Sequence, residues 1–146
     1  MHATGRVAFG LVLSAVIASA FAADIGQIKV SKGQVSVERN GQPMPGTVGT
    51  RLQPADVLKT GPDGSVGITM TDNSLLSAGP NSVLVLDHYE YDDVADKGRF
   101  DAQLKKGSLS VVSGRIAKES PEAMTVRTPS AILGVRGTEF IVTANE

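Results

Sequence analysis

The sequence contains no cysteine, so no disulfide can form at any point of the chain. Small exported domains often depend on disulfides, because their cores bury too little surface to hold them together. This chain of 146 residues is long enough to do without them. A domain of such length buries about two-thirds of the surface that its unfolded chain exposes. Core packing must therefore stabilise the fold, and cysteine-based catalysis is excluded.

Aromatic residues are scarce, and tryptophan is absent. Beyond residue 22 the aromatic residues are Tyr89, Tyr91, Phe100 and Phe140. Sugar-binding sites usually stack their ligands on aromatic side chains. The composition therefore disfavours a carbohydrate groove.

The sequence also lacks an excess of charge of either sign, since 14 basic residues face 15 acidic ones. Removing the first 22 residues takes away one basic residue, Arg6, and leaves the chain nearly neutral. Proteins that bind nucleic acids or anionic membranes usually carry a basic surface. We therefore expect neither nucleic acid nor a membrane surface as a partner.

An almost wholly apolar segment occurs near the N terminus, at residues 7–20, and runs into the tripeptide Ala20-Phe21-Ala22. A short apolar run before a small-x-small tripeptide is typical of a cleaved secretory signal peptide. The alternative is an uncleaved membrane anchor, although the run is short for a spanning helix. We predict a signal peptide at residues 1–22, one domain at residues 23–146, and a periplasmic or secreted location.

Alternation of apolar and polar residues dominates the rest of the chain. Val66-Gly-Ile-Thr-Met70 and Phe100-Asp-Ala-Gln-Leu104 show it clearly, and Asn40-Gly41 is a strong signal for a hairpin turn. Val83 to Leu86 is apolar on both faces, which indicates a central strand. About ten such segments are separated by Gly, Pro, Asn or Asp. The pattern predicts an all-β domain, an irregular sandwich or roll with solenoid-like character as a variant.

Helical periodicity is missing after the leader. Residues 115–122 could hold one helical turn, and we expect fewer than about one residue in ten to be helical.

Catalytic and metal-binding residue patterns are weak. His88 is the single histidine after the leader, and its place in an alternating segment predicts a solvent-facing strand residue rather than part of a catalytic triad. Asp92, Asp93 and Asp96 share one turn without the spacing of a calcium loop, so ordinary turn residues are the better interpretation. We predict no enzyme activity, no metal and no cofactor.

The densest pattern lies near the end of the chain, at residues 125–142. Thr128-Pro129 ends a β-type segment, Ala131-Ile132-Leu133 is interpreted as an apolar connector, and Thr138 begins another strand. Gly134 and Gly137 flank Val135-Arg136, which suggests a corner in the backbone.

Two charges stand out in otherwise apolar or turn-rich surroundings, Asp56 and Arg136. Arginine paired with a carboxylate is a common way to hold a corner of a fold. Our hypothesis is that both residues serve the fold and that Asp56 is the first candidate partner of Arg136. The alternative is that Arg136 is an exposed recognition residue. The candidate motif, structural or interacting, comprises Asp56, Arg127, Arg136, Gly137 and Thr138.

Several motifs, in order and spacing, resemble the FecR-like domain family. They are Asp56-Val-Leu-Lys-Thr-Gly61, Asp72-Asn73-Ser74, Gly79-Pro80-Asn81, Val126-Arg127-Thr128-Pro129 and Val135-Arg136-Gly137-Thr138. One departure is Ala55, because the family usually has glycine before the aspartate.

The resemblance implies an all-β extracytoplasmic domain. In the namesake proteins this domain belongs to a transmembrane regulator that receives a signal from an outer-membrane receptor and controls a sigma factor. We expect a stand-alone exported member that acts as an interaction or sensory module on another envelope protein. A module that binds glycan or peptidoglycan is the alternative. Exposed aromatic residues would favour glycan, whereas an apolar patch or an open sheet edge would favour a protein partner.

Overall fold

The computed structural model describes residues 23–135 and 139–145, together with Gly5 and Gly10. Twelve strands occur in this part of the chain: β1 (Gly26–Lys32), β2 (Val35–Arg39), β3 (Gln42–Pro45), β4 (Arg51–Leu52), β5 (Val57–Thr60), β6 (Ser65–Met70), β7 (Leu75–Ala78), β8 (Val83–Asp92), β9 (Lys97–Val112), β10 (Met124–Arg127), β11 (Ile132–Gly134) and β12 (Glu139–Ala144). A five-residue helix, α1 (Arg115–Glu119), and a 3₁₀ turn at Pro121–Ala123 are the helical elements of the same residues. The all-β prediction and the single helical turn are therefore confirmed.

The strands form one curled, open sheet with two halves that share β9. In the first half the order is β4-β1-β6-β7-β9-β12, and we call it the β12 half after its edge strand. In the second half the order is β3-β2-β5-β8-β9-β10-β11, and we call it the β11 half. All neighbouring strands are antiparallel except β9 and β10, which are parallel. The fold is thus an irregular roll.

Strand β9 joins the two halves because it is unusually long, with 16 residues. Strands β7 and β8 follow one another along the same side of β9, pairing first with its C-terminal part and then with its N-terminal part. Both the amide and the carbonyl of Ser108 point to this side, towards Ser82 and Gly79. The second side of β9 is therefore left for β10 and β12.

Gly107 lies inside β9, at the point where the alternation of apolar and polar residues is interrupted. Its φ of +92° is accessible to glycine, and a Cβ at this position would collide with Ser82. Even-numbered residues such as Leu104 are buried before it and odd-numbered residues such as Leu109 after it. The glycine is thus a bulge-like irregularity that reverses the faces of a continuing strand.

The core fills the space between the inner faces of the two halves. Val83 to Leu86 supplies three buried residues in β8, between β5 and β9, so the predicted central strand is confirmed. Phe100 is fully buried and packs edge-to-face against Tyr89, with ring centroids 5.2 Å apart. Such aromatic pairs contribute about 0.5–1.5 kcal/mol beyond the burial of their surface.

Several turns occur where the sequence predicts them. Asn40 and Gly41 both have positive φ, at 51° and 75°, and connect β2 to β3 as predicted. The interpretation of Ala131-Ile132-Leu133 as a connector is wrong, because Ile132–Gly134 forms β11 and pairs with β10. Thr128 and Pro129 end β10 as expected and begin the turn of this hairpin.

Candidate interaction surface

Asp56 lies at the start of β5 and is fully buried. Strands β2 and β5 are antiparallel, and their register pairs Glu38 with Val57, which brings the next residue of β2, Arg39, to Asp56. Arg39 Nε donates to Asp56 Oδ1 at 2.9 Å, and Nη2 donates to Oδ2 at 2.8 Å. The backbone N–H of Gln53 also donates to Oδ2, at 2.8 Å. A buried carboxylate is thus fully engaged by a two-pronged guanidinium and a turn amide.

The geometry gives Asp56 the structural role that the sequence suggested, with Arg39 as its partner. The hydrogen bond and negative charge of Asp56 outweigh the effect of burial and raise the pKa of Arg39. Arg136 lies outside the described residues, so its contact with Asp56 stays a prediction. Sequence reasoning missed Arg39, because its only signal is a position directly before the Asn40-Gly41 turn.

Ala55 occupies a left-handed conformation, with φ at 70°. Its backbone N–H donates to the carbonyl of Leu86 at 2.7 Å, and the Leu86 N–H donates in return to the carbonyl of Asp56 at 2.9 Å. Backbone hydrogen bonds to β8 therefore hold this turn, and they do not involve the side chain of residue 55. A glycine would adopt this backbone without strain, which explains the family preference that the sequence departs from.

Arg127 is exposed at the end of β10, between Gln103 of β9 and Ile132 of β11 in the register. Paired residues of a sheet point to the same face, so Arg127 and Ile132 share the outer face of the β11 half. The other members of the predicted motif, Arg136, Gly137 and Thr138, lie outside the described residues. The motif as a single site therefore stays a prediction.

The Asp72-Asn73-Ser74 motif builds a second buried polar centre. Asp72 Oδ2 accepts from Ser74 Oγ at 2.8 Å and from the backbone N–H of Ile116 at 3.2 Å. Ser74 Oγ accepts from the Gly114 N–H at 3.1 Å. The Asp72 carboxylate thus caps the first turn of α1 from a distant loop, since Gly114 has no side chain to do so. This arrangement holds the helix to the sheet.

Tyr89 extends the same network towards the core. Its hydroxyl accepts from the Asp72 N–H at 2.9 Å and lies 2.7 Å from Thr71 Oγ1. Burial raises the pKa of Tyr89 far above its ordinary value. The tyrosine hydroxyl therefore links the Asp72 loop to the core.

Apart from Ile132 at its β11 margin, the outer face of the β11 half carries charged and polar side chains. Asp101 of β9 accepts from Thr125 Oγ1 at 2.6 Å and from Arg99 Nε at 2.8 Å. Burial acts to raise the pKa of Asp101, but these hydrogen bonds and the charge of Arg99 outweigh it, so the pKa is lowered. His88 pairs with Asp101 in the register and is half exposed, as predicted for a solvent-facing strand residue.

The outer face of the β12 half is different, because one row across it carries no charge. The register aligns Val30, Gly67, Ser77, Ser110 and Ile141 in this row. The aliphatic residues at its two ends are well exposed, Val30 by 46% and Ile141 by 73%.

The neighbouring row runs through Arg51, Gln27, Thr69, Leu75, Val112 and Glu139, and Leu75 is 44% exposed. The two charges of these rows have opposite signs and lie at the margins, Glu139 on β12 and Arg51 on β4. We call the outer surface of these two rows the neutral face. A shallow hollow of about 140 Å³ lies on it between Val30 and Ser77. The neutral face is an aliphatic, small-residue surface suited to contact with another protein.

The acidic turn after β8 is built by its own carboxylates. Asp92 Oδ1 accepts from the N–H groups of Val94 and Ala95 at 3.0 and 3.2 Å, and Asp96 accepts from the Tyr91 hydroxyl at 2.9 Å. Across the described residues, no group of three or more His, Cys, Asp or Glu could hold a metal ion. Nor does that part of the chain contain a helix long and apolar enough to cross a membrane.

Comparison with known proteins gives one match. The family model described as FecR protein matches residues 56–146, which is more than half of the chain and includes all the motifs that carry the resemblance. No curated protein and no solved structure matches the chain significantly. The chain therefore belongs to the FecR family, a family of regulatory and signalling proteins.

Proposed function

We propose that this chain is a non-catalytic module of the cell envelope that docks on another envelope protein from the periplasm or the cell surface. Membership of the FecR family supports the general role, because FecR domains take part in signalling interactions with other proteins. The leader at residues 1–22 supports the location.

The neutral face is the observation that carries the proposal. Leu75 lies within its second row and is 44% exposed, and Val30 and Ile141 end the first row. Exposed aliphatic residues on a face whose charges lie at its margins lose little on desolvation and gain from burial against a partner. The outer face of the β11 half also exposes one aliphatic residue, Ile132, but it lies beside charged residues such as Arg127, so contact with a partner there costs more desolvation.

The position of the aromatic residues supports a protein partner over the glycan-binding alternative. Phe100 and Tyr89 are buried in the core, and Tyr91 and Phe140 are half buried and packed against it. None of these four side chains therefore provides an exposed stacking platform for a sugar ring. The exposed apolar residues are aliphatic instead, which fits a protein partner.

A capture experiment with matched variants tests the proposal. The tagged chain without residues 1–22 is incubated with envelope extract, and captured proteins are identified by mass spectrometry. We expect Leu75→Glu to lose the captured partner, because it introduces a charge into the neutral face. Val94→Glu should retain it, since Val94 is 92% exposed in the turn after β8. Binding to purified peptidoglycan that survives Leu75→Glu, without a captured protein, would contradict the proposal.

Export is tested separately by the N terminus of the protein recovered from the periplasm. We expect mass spectrometry to find a new terminus between Ala20 and Asp24. An intact Met1 on a membrane-bound protein would instead support the uncleaved anchor.

A further inference from the structure

The edge strands of the sheet differ in how they are protected against pairing with another chain. Among the described residues, four strands have a strand neighbour on one side only: β3, β4, β11 and β12. Strand β3 contains Pro43 and Pro45, and β4 and β11 have two and three residues. Prolines and short length are the usual ways in which proteins prevent edge-to-edge association.

Strand β12 has neither form of protection. It runs for six residues, Glu139–Ala144, without proline, glycine or a basic residue. Four of these residues are β-branched or aromatic, namely Phe140, Ile141, Val142 and Thr143. Its far edge pairs with no other strand in the described part of the chain. A long, regular edge of this kind is suited to accept another strand.

We propose that β12 pairs with β12 of a second copy of the chain, in antiparallel orientation and with the two-fold axis at Ile141. In this register Ile141 faces its own counterpart on the outer face, and Glu139 faces Thr143. On the inner face Phe140 meets Val142. An isologous pair needs a strand that is complementary to itself, and this strand meets that condition.

Side-chain chemistry favours a second copy over an unrelated strand. Directly opposed like charges destabilise a sheet, and in this register the carboxylate of Glu139 faces a neutral hydroxyl group. Aromatic and β-branched residues form favourable cross-strand pairs, as Phe140 and Val142 would. A two-fold axis that passes through a residue places inner side chains opposite inner side chains. Among such axes, the one at Ile141 pairs the most exposed apolar residue of the strand with its own counterpart.

Dimerisation would join two β12 halves into one sheet across the axis. The neutral faces of both copies would then lie side by side and form a larger docking surface. The pairing itself does not rest on the proposed function, because it depends only on β12.

The oligomeric state of the protein recovered after expression of the full chain tests the proposal. Analytical ultracentrifugation over a wide concentration series should show a monomer–dimer equilibrium. Ile141→Lys would place two ammonium groups opposite each other and should raise the dimer dissociation constant about tenfold or more. Val94→Lys adds the same charge in a turn remote from β12 in the chain and should leave the constant unchanged. Circular dichroism confirms that both variants are folded.

Disulfide cross-linking tests the register. Because the chain contains no cysteine, an introduced cysteine is the single thiol in each copy. Opposed residues of antiparallel strands lie within the Cα separation that a disulfide needs. Ile141→Cys should therefore form a covalent dimer under mild oxidation, whereas Val94→Cys, a more exposed position, should remain largely monomeric.

A monomeric wild-type chain at every concentration would overturn the proposal, as would equal cross-linking of the two cysteine variants. If the monomeric chain captures an envelope protein that Ile141→Lys loses and Leu75→Glu retains, β12 accepts a strand from a different protein. Loss of capture in Leu75→Glu with an intact dimer would separate the docking surface from the dimer interface.

Discussion

Arg39 and Asp56 form a two-pronged ion pair in which both carboxylate oxygens accept from the guanidinium, at 2.9 and 2.8 Å. The side chain of Asp56 is fully buried, whereas that of Arg39 is 26% exposed. The pair connects the end of β2 to the start of β5, next to the turn that carries Ala55. Asp56 is the first residue of the FecR match, whereas Arg39 precedes the match.

We expect Arg39→Met to lower the free energy of unfolding by about 3 kcal/mol, because it leaves a buried carboxylate without its counter-ion. Urea denaturation measures the change. Arg51→Met is the matched control: its pair with Asp24 is exposed and should contribute less than about 1 kcal/mol. The double variant Arg39→Met with Asp56→Asn should cost less than the sum of the single changes. Additive losses would show that the two residues stabilise the fold independently.

Ala55→Gly should stabilise the protein by up to about 1 kcal/mol. Alanine pays a steric cost of about 1–2 kcal/mol for its left-handed backbone, and part of the gain is offset by the greater entropy of glycine in the unfolded chain. Asn81→Gly is the control, since Asn81 also has positive φ, at 52°, but asparagine tolerates it. A lower melting temperature for Ala55→Gly would show that the alanine methyl group makes a contact worth more than the strain.

Gly114→Ala should destabilise the protein by about 1–3 kcal/mol or more, the usual cost of overpacking. A Cβ at Gly114 would collide with the backbone of Ser74 and Asp72, which hold the start of α1. The same substitution at Gly134 meets nothing within 4 Å and should change stability by less than about 0.5 kcal/mol. Thermal unfolding compares the two variants. Equal melting temperatures would mean that the Asp72 loop moves away from α1 without cost.

Asp101 should contribute to the acid sensitivity of the fold. Its pKa is lowered in the folded protein from the ordinary value of 3.8. A carboxyl group with a lowered pKa stabilises the folded state above its unfolded pKa, and this stabilisation is lost as the pH falls through the folded pKa.

The stability advantage of the wild type over Asp101→Asn should therefore be present at about pH 5 and shrink towards about pH 3. Urea denaturation across this range measures it. A difference that does not change with pH would show that the interactions of Asp101 do not depend on its charge.

Local patterns made much of the strand arrangement predictable. The segment from Val66 to Met70 alternates between apolar and polar or small residues, and its three apolar residues, Val66, Ile68 and Met70, are buried in β6. Asn40-Gly41 specifies its own turn, because both positions need positive φ and both residues tolerate it. Such features depend on neighbouring residues alone, so one sequence is sufficient to find them.

Pairing between strands was not predictable in the same way. Ile132–Gly134 becomes a strand because β10 lies beside it, and β9 continues through Gly107 because β7, β8 and β12 hold both of its sides. Hydrogen bonds to a neighbouring strand outweigh a weak local preference. These contacts join distant parts of the chain, so the pattern of neighbouring residues does not predict them.

The sequence by itself determined the all-β class, most of the turns, the FecR motifs and the need of Asp56 for a partner. The tertiary structure alone decided that this partner is Arg39, because the register of β2 with β5 sets which residue reaches the carboxylate. It also brought Val30 and Ile141 onto one neutral face, from opposite ends of the domain. Side-chain preferences act locally, whereas a surface is assembled by strand order, and strand order is settled only when the whole core packs.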